Sequence, residues 1–285
     1  MEIWGYTPDH CYGPGDEVAL HVSTTADTWS LEIGRDGPTY ECVMQVDNIA
    51  GQHQDTPTDC SINGCGWQES MRFTVPDTWR PGGYLITLRA KRGDDFVEEQ
   101  HLILIRCAPA QKRPSYLLVC ATGAWQAYNC WGGSNHYEGI AGKDANAFSP
   151  VLSSQRPWSR GFCKLPNGEP RAVPDVPPKH GEMTRYPYME WAYAYGYSKK
   201  YASAGWASYE RHFAHWAETM GYDLDFATQD ELDRSPDRLS GYACVIFIGH
   251  DEYWSAPMRD TVDDYVDGGG KVARFAGNFL RSEEH

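Results

Sequence analysis

Three short apolar runs limit what the second half of this chain can become. "YLLVCAT" (116–122) has the continuous apolar character of a strand covered on both faces, and "ACVIFIG" (243–249) and "KVARFAGN" (271–278) read as further strands. Between them, "WASYERHFAHWAETMGY" places Tyr209, Phe213, Trp216 and Met220 at spacings of four, three and four. That is a helical stripe expected to pack into the core, and Gly221 stands where such a helix stops. "DLDFAT" reads as a strand and "QDELDRSPDRLSGY" as a polar turn and helix. "SAPMRDTVDDYVDGGG" sets Met258, Val262, Tyr265 and Val266 on one helical face before three glycines. Strand and helix alternate, which predicts an α/β domain with a parallel sheet over 116–285.

The first 108 residues carry a different pattern. "EVALHVS" and "WSLEIGR" alternate apolar and polar residues, "MRFTVPDTWRPGGYLITLRAKR" reads as strand, turn, strand, and "VEEQHLILIR" adds another strand. Short strands with Pro/Gly turns predict a β-sandwich. Residues 109–115, within "CAPAQKRPS", read as a linker. Residues 123–185 are rich in Gly, Pro, Ser and Asn and read as a long loop region, a feature often tied to function. The expected class is β plus α/β.

Charge and cysteine usage narrow the function classes. A net charge of −14 argues against nucleic acid and anionic membrane surfaces as partners. No apolar run approaches the ~20 residues of a membrane helix, and "MEIWGYTPDH" lacks the basic start and apolar core of a secretion signal. The nine cysteines are odd in number and irregular in spacing, which predicts free thiols in the cytoplasm. Cys60 and Cys65 are the closest pair, without the second pair that a zinc site needs. Seven tyrosines fall between Tyr186 and Tyr209.

Ligands of an open parallel sheet bind beyond the carboxyl ends of its strands. Three strands here end in polar clusters: "GAWQAYNCWGGSNHYEG", "GHDEYWS" and "GNFLR". Tyr128, His250, Glu252 and Asn278 are therefore expected at one rim. Each also has a plainer reading. Glu252 would serve as a helix cap or first-turn acid, His250 as a loop histidine, Asn278 as a turn residue, Tyr128 as packing and Asp251 as a structural acid. No nucleophile elbow, dinucleotide fingerprint or phosphate loop occurs. His212 and His215 lack zincin spacing, and Cys120 lies inside an apolar strand, where a thiol is inert.

These same blocks, "LLVCATGAWQAYNCWGGSNHYEG", "GYDLDFATQDEL", "IGHDEYWSAPMRDTVDDYVDGGG" and "FAGNFLR", resemble the large subunit of N,N-dimethylformamidase and its relatives. "GYTPDHCYGPGDEVALHVST" and "FTVPDTWRPGGYLITLRA" resemble that family's leading β-sandwich, so the likeness covers most of the chain. It implies an amidohydrolase that cleaves a small formamide to formate and an amine. It also implies an α/β domain similar to the glutamine-amidotransferase fold, and one mononuclear non-haem iron held by two tyrosines and a glutamate.

Carried over by motif, Glu252 matches the glutamate ligand, Tyr128 the first tyrosine, and His250 and Asn278 the supporting catalytic pair. Tyr188 in "RYPYMEW" is the choice for the second tyrosine, with Tyr186, Tyr137 and Tyr209 as alternatives. Phenolate and carboxylate oxygens are hard donors that suit Fe(III). A bound cation would favour loss of a phenol proton whose free pKa is ~10. The likeness further implies a small partner subunit and self-association. Because family members are longer, further strands and helices are expected to complete the sheet beyond "GNFLRSEEH". Two other functions compete. A metal-free hydrolase on this fold would need a Cys or Ser beside His250. A binding module would present aromatics such as Trp67 or Trp79, which otherwise pack the sandwich.

Overall fold

A computed structural model describes residues 1–108, 113–140, 148–166, 187–198 and 200–281. The N-terminal part comprises β1 (Ile3–Tyr6), β2 (Cys11–Tyr12), β3 (Glu17–Thr24), β4 (Thr28–Asp36), β5 (Tyr40–Ala50), α1 (Cys60–Asn63), β6 (Met71–Thr74), β7 (Gly82–Arg92) and β8 (Asp95–Ile105). They form a three-stranded sheet, β1-β3-β6, and a five-stranded sheet, β2-β8-β7-β4-β5. All pairings are antiparallel except β2 with β8.

The expected alternation is present. On β3, Val18, Leu20 and Val22 are buried, and they meet Leu31, Ile33, Ile86, Leu88, Ile103 and Ile105 of the facing sheet. Burying each such side chain is worth roughly 1.5–3 kcal/mol, and this shared core holds the two sheets face to face. Trp79 stacks on Tyr84 inside it, ring centroids 4.9 Å apart. Trp67 is buried in a smaller cluster with Tyr6, Cys60 and Cys65. Both tryptophans that a binding surface would have presented are thus packing residues.

The second part runs β9 (Tyr116–Cys120), α2 (Thr122–Tyr128), α3 (Pro187–Ala194), α4 (Glu210–Thr219), β10 (Leu224–Thr228), α5 (Gln229–Arg234), β11 (Cys244–Glu252), α6 (Ala256–Asp267) and β12 (Val272–Arg281). Its sheet has the order β10-β9-β11-β12 and is wholly parallel. Side chains alternate between two cores. Leu117, Val119, Val245 and Phe247 face Leu232, Trp254 and Val262. Leu118, Cys120, Ile246 and Ile248 face Trp125, Trp206 and Ala214, together with Leu85, Leu102 and Leu104 of the sandwich. β9 and β11 read as unbroken apolar runs because both their faces are covered, whereas the edge strand β12 leaves Phe275 exposed. The class is β plus α/β, and the two parts share a core. Trp206 seals it: its indole Nε1 donates to Asp36 Oδ2 at 2.7 Å.

Several expectations change. α2 occupies the start of the stretch read as loop. Residues 141–147 and 167–185 of that stretch, 109–112 of the linker, and Tyr186 lie outside the described residues. Half of the aromatic stripe reaches the core: Tyr209 and Phe213 pack against it. Trp216 and Met220 do not, being 51 % and 61 % exposed, while Ala214, Ala217 and Glu210 are buried. Small residues let α4 sit close to the sheet, and Phe213 also meets the exposed Phe275 of β12. Among the described residues no helix is long and apolar enough to cross a membrane.

Candidate active site

β11 does not stop at Gly249. It continues through His250 and Asp251 to Glu252, with an irregularity in its pairing to β12 between His250 and Glu252. Gly249 has φ 82°, a conformation glycine adopts without a Cβ penalty. Strand periodicity puts His250 and Glu252 on one side and Asp251 on the other. Asp251 is buried and accepts from Gln229 Nε2 at 2.8 Å, so it is the structural acid. The cap of α6 is Ser255, whose Oγ accepts from Met258 N at 3.2 Å. Glu252 is thereby left free of that role.

Three strand ends supply the rim. His250 Nε2 lies 2.8 Å from Glu252 Oε2. Asn278, from β12, donates through Nδ2 to Glu252 Oε1 at 3.0 Å and stands 3.0 Å from His250 Nε2. Asn278 has φ 55°, which asparagine tolerates. On its other side the imidazole Nδ1 faces the Ser203 carbonyl at 3.1 Å, so Nδ1 carries a proton and Nε2 is turned to the rim. Glu252 is 2 % exposed, whereas Asn278 is open to solvent.

Tyr128 arrives from the end of α2. Gln229 clamps that helix to β11: its side chain accepts from Gly123 N at 2.7 Å and donates to the Glu252 carbonyl at 3.3 Å. A Cβ on Gly123 would lie 2.8 Å from Gln229 Oε1, so the approach needs glycine. The Tyr128 ring sits 5.2 Å from that of His250. Its hydroxyl is 3.2 Å from Tyr137, whose hydroxyl in turn bonds Tyr253. Tyr253 holds φ 68°, a strained conformation for an aromatic residue. Lys200 Nζ lies 5.4 Å from the Tyr128 ring and 5.1 Å from the Tyr137 ring.

The structure therefore brings together Tyr128, His250, Glu252 and Asn278. Tyr188 packs elsewhere, on Tyr201 with Trp191. Tyr209 lies under Gly249. Tyr137, a secondary choice from sequence, is the phenol set against Tyr128. Tyr253 and Lys200 were not singled out, although Tyr253 adjoins Glu252 in the "HDEYW" block.

Beneath the rim, Glu210 accepts from Ala121 N and from Trp125 Nε1, both at 3.1 Å. Burial pushes its carboxyl up to about 8. The folded protein then holds a proton that the unfolded chain releases near 4.5. Stability should fall as pH rises between those values and level off above them. Glu210→Gln should remove this slope, worth on the order of 4 kcal/mol. Denaturant melts at pH 5 and pH 8 check it, and an unchanged slope in the variant would refute the assignment.

Over residues 33–282 the sequence matches the family described as N,N-dimethylformamidase beta subunit-like, C-terminal. The chain belongs to this family. Its name is that of a hydrolase. No curated protein matches the sequence. Local likenesses to solved structures are slight. A marsupial T cell receptor shares 13% identity over 39% of this chain and 37% of its own, with TM-score 0.23. A β-glucuronidase of Parabacteroides merdae shares 12% over 37% and 13%, with TM-score 0.21. A family 123 glycoside hydrolase of Clostridium perfringens shares 9% over 45% and 31%, with TM-score 0.16. The chain thus spans well under half of each, and these scores bear on neither fold nor activity.

The family's implied iron can be set against the residues present. Among the described residues no group of three or more His, Cys, Asp and Glu could hold a metal, and the described oxygen donors beside Glu252 are phenols. Burial, then Tyr137, then the Glu252 charge push the Tyr128 phenol well up. Burial, then the bond to Tyr137, do the same to Tyr253. Apart from burial, every raising cause is a neighbouring acidic oxygen, and a cation among them would reverse it. The donor set fits a hard trivalent ion.

Proposed function

We propose that this chain is an amidohydrolase that cleaves a small N-substituted formamide, of the N,N-dimethylformamide kind, to formate and an amine. It would use one mononuclear non-haem iron(III). The observation that carries this is the triangle of His250, Glu252 and Asn278 beside buried phenols at a parallel-sheet rim, in a chain of this family. Tyr128 and Glu252 would hold the ion with one further phenol, for which the position of Tyr137 against Tyr128 favours Tyr137 over Tyr188, the choice from chain order. Bound there, iron(III) would act as a Lewis acid toward an amide carbonyl or a water molecule.

The remaining steps belong to the chain's own groups. The Ser203 carbonyl fixes the His250 ring, so Nε2 can take a proton from the attacking water. The same atom can return it to the departing amine nitrogen as the C–N bond breaks. The Asn278 amide can donate to the oxygen that gains charge. The reading includes a glutamine-amidotransferase-like α/β part, a smaller partner subunit, as the family name suggests, and self-association in the cytoplasm. A metal-free thiol mechanism is less favoured, because Cys120 is fully buried in β9 and burial pushes its thiol well up.

Elemental analysis with a visible spectrum tests the reading. The expected result is about one iron per chain, on the stoichiometry of a mononuclear site, with a phenolate-to-iron absorption band. Tyr128→Phe should lose both iron and band. Of Tyr137→Phe and Tyr188→Phe, the variant that bleaches identifies the second phenol. A protein that stays colourless and metal-free after anaerobic iron loading and oxidation would sink the proposal.

A further inference from the structure

A second group of reactive side chains lies in the sandwich, away from the rim. Cys60 opens α1, and Cys65 follows Gly64, which turns the chain back at φ 80° and donates from its N to the Cys60 carbonyl at 3.0 Å. Both thiols are buried, 1 % and 3 % exposed, in a cluster with Tyr6 and Trp67 on which Trp4 and Trp131 pack. Exposed Asn63 and Gly66 flank the turn, so the pair lies just below the surface. Cys65 N donates to the Gln155 carbonyl at 2.8 Å, which holds the turn against the segment that carries Arg156. The Cys65 thiol lowers the Cys60 thiol to about 7, burial opposes this, and Arg156 adds to it. Cys65 moves the other way.

Arg156 supplies the second observation. It is 1 % exposed. Its Nη1 donates to the carbonyls of Trp131 and Ser134 at 2.6 and 2.9 Å, and its Nε to that of Ser153 at 3.3 Å. Its Nη2 has no hydrogen-bond partner among the described residues. A buried guanidinium without a counter-charge is costly. The charges that bear on it are cysteine sulfurs, Cys60 first, and no carboxylate is among them.

We infer that Cys60 and Cys65 form an oxidisable dithiol that a hydroperoxide closes to a disulfide, with the Arg156 guanidinium as countercharge to the attacking Cys60 thiolate. The Cys60 sulfur attacks one peroxide oxygen, so an S–O bond forms, the O–O bond breaks and hydroxide leaves. Cys65 sulfur then attacks Cys60 sulfur. The S–S bond forms, the S–O bond breaks, and the thiol proton departs with the second hydroxide as water. Two thiols are oxidised and one hydrogen peroxide is reduced to two waters.

The experiment treats the whole chain with hydrogen peroxide, alkylates the remaining thiols and maps them by mass spectrometry. Cleavage at aspartates separates Cys42, the exposed thiol on β5, from the pair. Cys60 and Cys65 should vanish together, ahead of Cys42, into one disulfide that dithiothreitol reverses. The pH midpoint of the rate should lie near 7. In Arg156→Gln it should move up part of the way toward the ordinary thiol value of about 8.5, with a rate a few-fold lower at neutral pH, because Cys65 still supports the thiolate. Should that variant fail to fold, Cys65→Ser decides, because it should trap a sulfenic acid on Cys60 that dimedone labels. Oxidation of Cys42 with the pair still reduced, a disulfide from either thiol to Cys130, or a dimedone label elsewhere overturns the inference.

Discussion

Alanine in place of Glu252 is expected to remove the iron and to lower formamide turnover by about 10³-fold or more, since a lost charged group at the reacting centre commonly costs 10²–10³ and the metal goes with it. The side chain is almost wholly buried, and both carboxylate oxygens are engaged, one by His250 and one by Asn278. No other described carboxylate lies within that triangle, so nothing else at the rim can stand in for its charge. The fold should survive. Removal of Glu252 leaves the His250 ring and the Asn278 amide without the carboxylate that both face, a loss of about 1–3 kcal/mol, so the thermal midpoint of the metal-free protein should fall modestly. His250→Gln separates the roles: it should keep the iron and lose about 10²-fold in turnover, the ordinary worth of a general base. A Glu252→Ala protein with full iron and near-normal turnover would remove Glu252 from the site.

Where the sequence was readable, the reason is periodicity. The run "CVIFIG" leads into His250 and Glu252 two residues apart, and a period of two is enough to put them on one side and Asp251 on the other. Parallel pairing of β11 with β12, which aligns His250 with Gly277, then brings Asn278 alongside. Tyr128 lies at the end of the helix after β9, the other neighbour of β11. The phenol partners were less readable. Tyr137 meets Tyr253 across a separation of 116 residues, and Lys200 comes from a turn with no pattern of its own. β5 escaped notice because it is an edge strand with an exposed, acid-bearing face. α4 misled for a related reason. Its aromatics repeat at helical spacing, yet the face that packs is marked by alanines, which carry a weak hydrophobic signal.

Alanine at Gly249 should damage the same rim through the backbone. With φ at 82°, a Cβ there would lie 2.5 Å from both Cβ and Cγ of Tyr209. The left-handed conformation costs an alanine roughly 1–2 kcal/mol, and an added carbon in a filled site costs about 1–3 kcal/mol more. The sum is about 2–5 kcal/mol, a large share of a typical domain's stability of about 5–15 kcal/mol. The backbone has one easy escape, rotation at Gly249, and that would carry His250 and Glu252 away from Asn278. Activity should therefore fall even at temperatures where the fold persists. Gly277→Ala provides the control on the neighbouring strand. Its nearest contact is the Gly249 carbonyl at 4.0 Å, so its effect should stay within about 0.5 kcal/mol. Shortening Tyr209 to alanine beside Gly249→Ala should restore the part of the loss due to collision and leave the part due to backbone strain, a coupling that a double-mutant cycle measures directly. If Gly249→Ala unfolds at the wild-type denaturant midpoint, the kink in β11 does not hold the rim in place.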